Sequence, residues 1–321
     1  MRSTILSVAA ASALVPLAAA RLDKPVIQPN FPGGGLDSLS QDLLNNLKPT
    51  HSTNDDWGSD YLPADCKNIA KSNGFSPFDV SAFNIHYDDC SEPWIFCRHK
   101  DSPLSKIDMI DIWGRLPVRM RQYIRHIIAL PGNKSAGSGG DNIQMNGPIG
   151  ITVYVHETGH SLDSHAFDPK YGAPFSNSDV WISNYNQDSA VTDDYAQTSQ
   201  QENLAQETVV SLYDKVVPGG IGKIQPNWKA IFHQYATLQG YIGDTILPGG
   251  TCTHRLANSA PVKKSDAKVA AASEEDSNKP DVSLSDNVTE IPSVPMGDSI
   301  TLTEYDDAGK PTGKKVVKLH H

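Results

Sequence analysis

The chain has only four cysteines in 321 residues, Cys66, Cys90, Cys97 and Cys252, and no two are spaced C-x-x-C. That spacing argues against a thiolate zinc site and allows at most two disulfides, which suits an oxidising compartment. Three pairings are open. Joining Cys90 to Cys97 closes a short hairpin-like loop and leaves Cys66 with Cys252 to tie the start of a domain to its end. No stretch reaches the ~18 apolar residues of a membrane-spanning helix. Excess positive charge is also missing: 27 Lys and Arg against 37 Asp and Glu give a net charge of −10. Neither nucleic acid nor an anionic membrane is therefore expected as the main partner. No internal repeat is visible.

What is present begins with an export signal. Arg2, the apolar run Ile5–Leu17 and the small residues Ala18-Ala19-Ala20 read as a cleavable secretory peptide over residues 1–20. A secreted or extracellular location follows, the cell wall included. Residues 21–60 are rich in Pro, Gly, Asn and Ser, interrupted by a helical stripe of Leu39, Leu43, Leu44 and Leu47 that Pro49 ends. This leader reads either as a prosegment or as an arm docked on the surface.

From residue 61 to 257 the texture is that of one domain with a sizeable core. The pattern predicts a short helix over 64–72, strands over 83–87 and 94–97, and helices over 105–113 and 118–130 kinked apart by Pro117. Residues 131–140 read as a Gly/Ser loop carrying the glycosylation sequon at Asn133, and 141–145 as a strand able to hold an extended substrate by edge pairing. Residues 161–191 read as loop-rich, with helices again over 198–216 and 226–238. Residues 258–321 hold few large apolar groups and read as a disordered tail with a second sequon at Asn287 and a weak strand over 301–305.

The stretch Val153-Tyr-Val-His156-Glu157-Thr-Gly159-His160-Ser-Leu-Asp163 carries the chemistry. On a helix, residues four apart share a face, so His156 and His160 can aim two imidazole nitrogens at one ion. Glu157, one position round, can serve as general base toward a water in zinc's open position. The bland alternative is two surface histidines and a solvated glutamate. Local propensity conflicts with the helix, since Ile149, Ile151, Val153 and Val155 alternate like a strand and are β-branched. The two-histidine geometry nonetheless requires helix, beginning near Ile151.

Two histidines leave a third protein ligand to be found. A metzincin would have Gly and His where this chain has Asp163 and Ala166, with His165 one residue off, and no G-T-x-D stretch follows. Asp163 shares the histidine face and either orients a histidine or is simply solvated. Glu202 is a candidate ligand from a second helix, with Tyr195 aiming its phenol at the site. Equally, Ser199-x-x-Glu202 is a capping box and Tyr195 a core aromatic. Glu207 is the fallback ligand.

H-E-x-G-H-x-x-D followed by Y-A-x-T-x-x-x-E-x-x-A resembles the lethal-factor-like zinc peptidases, which include the Pro-Pro endopeptidases. That resemblance, specific over about residues 152–210, implies zinc on His156, His160 and Glu202, Glu157 as base and Tyr195 stabilising the oxyanion. One position departs from it: Gln206 stands where a second glutamate is common. More loosely, the rest of the chain resembles secreted fungal proteins described as conidiation-specific, a label that says nothing of chemistry. The expectation is an α+β zincin-like fold: a small twisted sheet, an active-site helix, a helical second half and the tail. The expected function is a secreted, monomeric zinc endopeptidase acting on peptides or proteins. A non-catalytic zinc-binding or cell-surface protein is the alternative.

Overall fold

The computed structural model describes residues 21–266 and 278–319; the export signal lies outside them. In chain order the elements are α1 (Ser40–Asn46), β1 (Ser52–Asp56), β2 (Tyr61–Pro63), α2 (Ala64–Ser72), β3 (Val80–Tyr87), β4 (Trp94–His99), α3 (Lys106–Arg115) and α4 (Val118–Arg121). They continue with β5 (His126–Leu130), β6 (Ser135–Gly139), β7 (Asn142–Asn146), α5 (Ile151–His165), α6 (Asp179–Gln187), α7 (Gln200–Val216) and α8 (Phe232–Ile246). Five strands close the chain: β8 (His254–Leu256), β9 (Pro261–Lys263), β10 (Thr289–Ile291), β11 (Ser299–Tyr305) and β12 (Pro311–Lys318).

The architecture is mixed α/β around an eight-stranded sheet in the order β1-β3-β4-β5-β7-β6-β11-β12. Strands β4, β5 and β7 run parallel, while β6 is antiparallel to both neighbours, β7 and β11. Side-chain alternation sorts the core onto two faces. Trp94, Phe96, Ile127, Ala129, Ile143 and Met145 meet α3, α5, α7 and α8 on one side. Ile95, Cys97, Ile128 and Leu130 meet α2 on the other. Both faces being covered explains why 126–130 does not read as a strand. His126-Ile-Ile-Ala-Leu130 is buried throughout, so its period-two signal vanishes, and the helix expected over 118–130 ends at Arg121.

Other expectations are corrected by packing. Of the three pairings the sequence leaves open, the structure holds Cys66–Cys97 and Cys90–Cys252. Cys97 points to the face that α2 covers, which places it against Cys66, while Cys90 lies in the turn after β3. The Gly/Ser loop holds a strand, β6, and 161–191 holds a helix, α6, capped where the Ser178 hydroxyl accepts from Trp181 N–H at 3.1 Å. Strand β7 lies between β5 and β6 and has no free edge to offer a substrate.

The tail is not wholly disordered. Among its described residues, β11 and β12 extend the large sheet past β6, and Ile300, Leu302, Val317 and Leu319 are buried in the second core cluster. The leader is likewise part of the body: Ile27, Phe31, Leu36, Leu39, Leu43 and Leu47 are buried in the main core. Both sequon asparagines, Asn133 and Asn287, are exposed. No helix among the described residues is long and apolar enough to cross a membrane. The two disulfides fit an exported protein.

Candidate metal centre

Helix α5 begins at Ile151, overriding the β-branched preference of its first turns because Ile151, Val153, Tyr154 and Val155 are all buried. Its N-terminus has no side-chain cap of its own. The leader supplies the counter-charge instead: Asp37 Oδ1 accepts from the Thr152 hydroxyl at 3.1 Å, at the positive end of the helix. Helix α7 starts where the Ser199 hydroxyl accepts from Glu202 N–H at 3.2 Å. Half of the expected capping box is therefore present, while the Glu202 carboxylate is turned toward α5.

Gly159 lets the two helices approach. A Cβ there would stand 3.0 Å from Ala205 Cα and 3.1 Å from Thr208 Oγ1. This close crossing sets Glu202 Oε2 3.2 Å from His156 Nε2 and 3.3 Å from His160 Nε2. Tetrahedral zinc with bonds of about 2.0–2.1 Å sets its ligand atoms about 3.3–3.4 Å apart. The three residues are the one group among the described residues whose ligand atoms converge, all within 4.8 Å of one another.

The polar atoms at the centre are poorly satisfied. His156 Nε2, Glu202 Oε2 and both carboxylate oxygens of Glu157 are buried without a hydrogen-bond partner among the described residues. Such orphans are costly unless a ligand takes them up. Burial opposes charge on His160, but the Glu202 carboxylate overcomes it and lifts the imidazole to about 9. Burial likewise acts to raise Glu202, yet His160 and His156 hold it well below the usual carboxylate range. A carboxylate that draws positive charge onto its neighbours in this way suits a cation held in the proton's place. The residues fit a tetrahedral divalent metal with one position left open.

Around the cluster, Glu157 is raised by burial, against the pull of His156 and His160. Ser138 of β6 donates its hydroxyl to the Glu157 carbonyl at 2.9 Å, fastening the sheet to the helix. The Tyr195 ring lies 5.5 Å from that of His156, and its hydroxyl is hydrogen-bonded to Thr303. Glu157, His160, Tyr195 and Glu202 line a cavity of about 310 Å³ together with Ser138, Gly139, Thr301 and Thr303.

Gln206, the departure from the resemblance, stands behind His156. Its Oε1 lies 3.0 Å from His156 Nδ1, and its Nε2 donates to Asp193 Oδ2 at 2.5 Å. Asp163 does not support a histidine; both its oxygens accept from Ser176, from N–H and hydroxyl, at 2.6 Å. Glu207 lies outside the metal cluster, buried with neither oxygen bonded among the described residues. Burial, then Asp188 and Asp193, push it well above the usual range. Asp193, Thr303 and Lys314 complete the surroundings, and nothing in the sequence singles them out. Lys314 Nζ lies 3.1 Å from Glu202 Oε1.

All the candidate residues fall within 33–227, the stretch matched by the family profile of conidiation-specific protein Con-13, and the chain belongs to that family. Conidiation-specific protein 13 of Neurospora crassa is 32% identical over 178 residues, 54% of this chain and 52% of the relative. The match thus spans about half the length of that curated relative. No solved structure matches the chain.

Proposed function

We propose that the protein is a zinc-dependent endopeptidase of zincin type, with His156, His160 and Glu202 as metal ligands. The observation that carries this reading is the convergence of two imidazole nitrogens and one carboxylate oxygen at 3.2 and 3.3 Å, beside an unpartnered glutamate. A sheet packed on the histidine helix, and a second helix supplying the glutamate, is the arrangement that the resemblance to lethal-factor-like peptidases implies.

Zinc, when bound, would lower the pKa of a water and polarise a substrate carbonyl. The chain's own residues then divide the proton traffic. Glu157, on the helix yet outside the ligand set, takes the proton from the attacking water and returns it to the leaving amine. Its burial without a partner leaves both oxygens free for that exchange. Tyr195 donates its phenol to the oxyanion, and burial together with the Glu202 carboxylate keeps that phenol protonated. Gln206 and Asp193 fix the ring of His156 from behind.

A peptide-library digest tests the activity. Zinc-loaded wild type should cleave in a chelator-sensitive manner, while Glu157→Gln keeps its zinc and loses cleavage by ~10²–10⁴. Wild type that holds zinc yet cleaves nothing, intact or with its C-terminal strands cut away, favours a secreted zinc-binding protein without turnover. Cleavage retained by Glu157→Gln contradicts the mechanism.

A further inference from the structure

Strand β6 lies beside the candidate metal centre, Ser138 and Gly139 lining its cavity, and its outer edge is taken by the chain itself. Thr303 pairs with Ala136 and Glu304 with Ser135 in antiparallel register. Upstream the same segment stays against β6, where three glycines make room for it. A Cβ on Gly137 would lie 2.2 Å from Thr301 O, on Gly139 2.7 Å from Ile300 Cγ1, and on Gly140 2.6 Å from Met296 Cα. Val294 N–H donates to Asp141 Oδ2 at 3.0 Å, and Val294, Thr301 and Thr303 line the cavity that holds Glu157 and His160.

The side chains of this segment engage the site's own groups. Thr303 bonds the Tyr195 hydroxyl, the donor assigned to the oxyanion. Lys314 of β12 sets its ammonium 3.1 Å from Glu202 Oε1 and 5.1 Å from the centre of the Tyr195 ring. Segment 294–318 thus contacts the edge beside the site, one proposed ligand and the proposed oxyanion donor.

We infer that residues 294–318 are a built-in competitor for extended polypeptide substrate, so that the intact chain is latent. The inference rests on the metallopeptidase reading above. An extended peptide gains main-chain hydrogen bonds by adding to a free sheet edge, and β6 would offer such an edge if β11 were lifted away. Tethering gives the resident strand an effective concentration on the order of millimolar, so a micromolar substrate of equal intrinsic affinity is outcompeted roughly 10³-fold. The segment is also separable in sequence. It lies beyond residues 33–227, which the family profile matches and which contain His156, Glu157, His160, Tyr195 and Glu202. From Pro292 to Asp298 the connection into β11 is exposed at every position but Met296, which is half-buried. One cut there frees both strands.

The experiment uses the full chain with a site-specific protease sequence inserted between Pro292 and Ser293. The chain is folded, loaded with zinc, cut, and passed through gel filtration. A companion chain carries Leu302→Asp, which sets a charge in the apolar contact of β11 so that the cut segment leaves. The probe is a fluorescent peptide hydroxamate, which binds an accessible zinc whether or not turnover occurs. Hydroxamate affinity and peptide turnover should each rise tenfold or more on release, with zinc content unchanged, and a synthetic peptide of residues 294–318 should reverse both competitively. Unchanged or weakened hydroxamate affinity, with zinc in place and the segment gone, makes the hairpin a fixed wall of the site and overturns this inference alone. A chain that takes up no zinc before or after the cut sinks the metal reading and this inference with it.

Discussion

Gln206 Oε1 faces His156 Nδ1 at 3.0 Å across fifty residues of sequence. An amide oxygen only accepts, and the Gln206 amide nitrogen is committed to Asp193, so Nδ1 carries the proton and Nε2 presents its lone pair to the cluster. The glutamine thus does for His156 what a carboxylate would do. Gln206→Leu should lower zinc affinity about 10–100-fold, read by competition with a chelator of known affinity. Unchanged affinity would make the contact incidental.

In the proposed mechanism the phenol of Tyr195 acts only on charge that develops during reaction. Tyr195→Phe should keep one zinc and lower turnover by ~10²–10³. Loss of zinc in this variant would instead make Tyr195 part of the metal's support, and unaltered turnover would remove it from the mechanism.

The leader is a structural segment. Leu43 is fully buried in the main core beside α5 and α7. Leu43→Ala should cost about 2–5 kcal/mol in denaturant unfolding. A cost below about 0.5 kcal/mol is what a detachable surface arm would give.

His126 supplies a pH dependence away from the metal centre. It is buried in β5, with Nδ1 3.1 Å from the Ile95 carbonyl, and burial lowers its pKa to about 4. Because the unfolded chain binds this proton more readily, the contribution is fully present above about 6.5 and is lost as pH falls toward 4. A His126→Gln variant should show a shallower loss of stability across that window, by up to about 3 kcal/mol. Parallel stability profiles for the two proteins would show that His126 does not titrate there.

Helix α5 was legible because the proposed metal chemistry demands a spacing, and spacing is local. Gly159 could be read as part of the motif, but its reason, the approach of Ala205 and Thr208, lies in another helix. Strand β5 was illegible because burial on both faces erases alternation. The tail misled through its average composition. Strand β11 buries only Ile300, Leu302 and Thr303, and it needs no core of its own because it adds to an edge that already stands on one. The disulfide pairing stayed open because nearness in sequence says nothing about which face of a sheet a side chain takes. The residues alone left Tyr195 and Glu202 evenly poised between site and scaffold, since Ser199 caps α7 whether or not Glu202 meets a metal, and resemblance tipped the balance.

The central claim is that two histidines and one glutamate hold a single metal, and elemental analysis tests it most directly. Purified wild type offered zinc at neutral pH, then exchanged into metal-free buffer, should retain near one equivalent per chain. His160→Ala and Glu202→Ala should retain almost none while remaining folded. A folded, metal-free wild type, or a Glu202→Ala variant that still carries its full equivalent, would contradict the account.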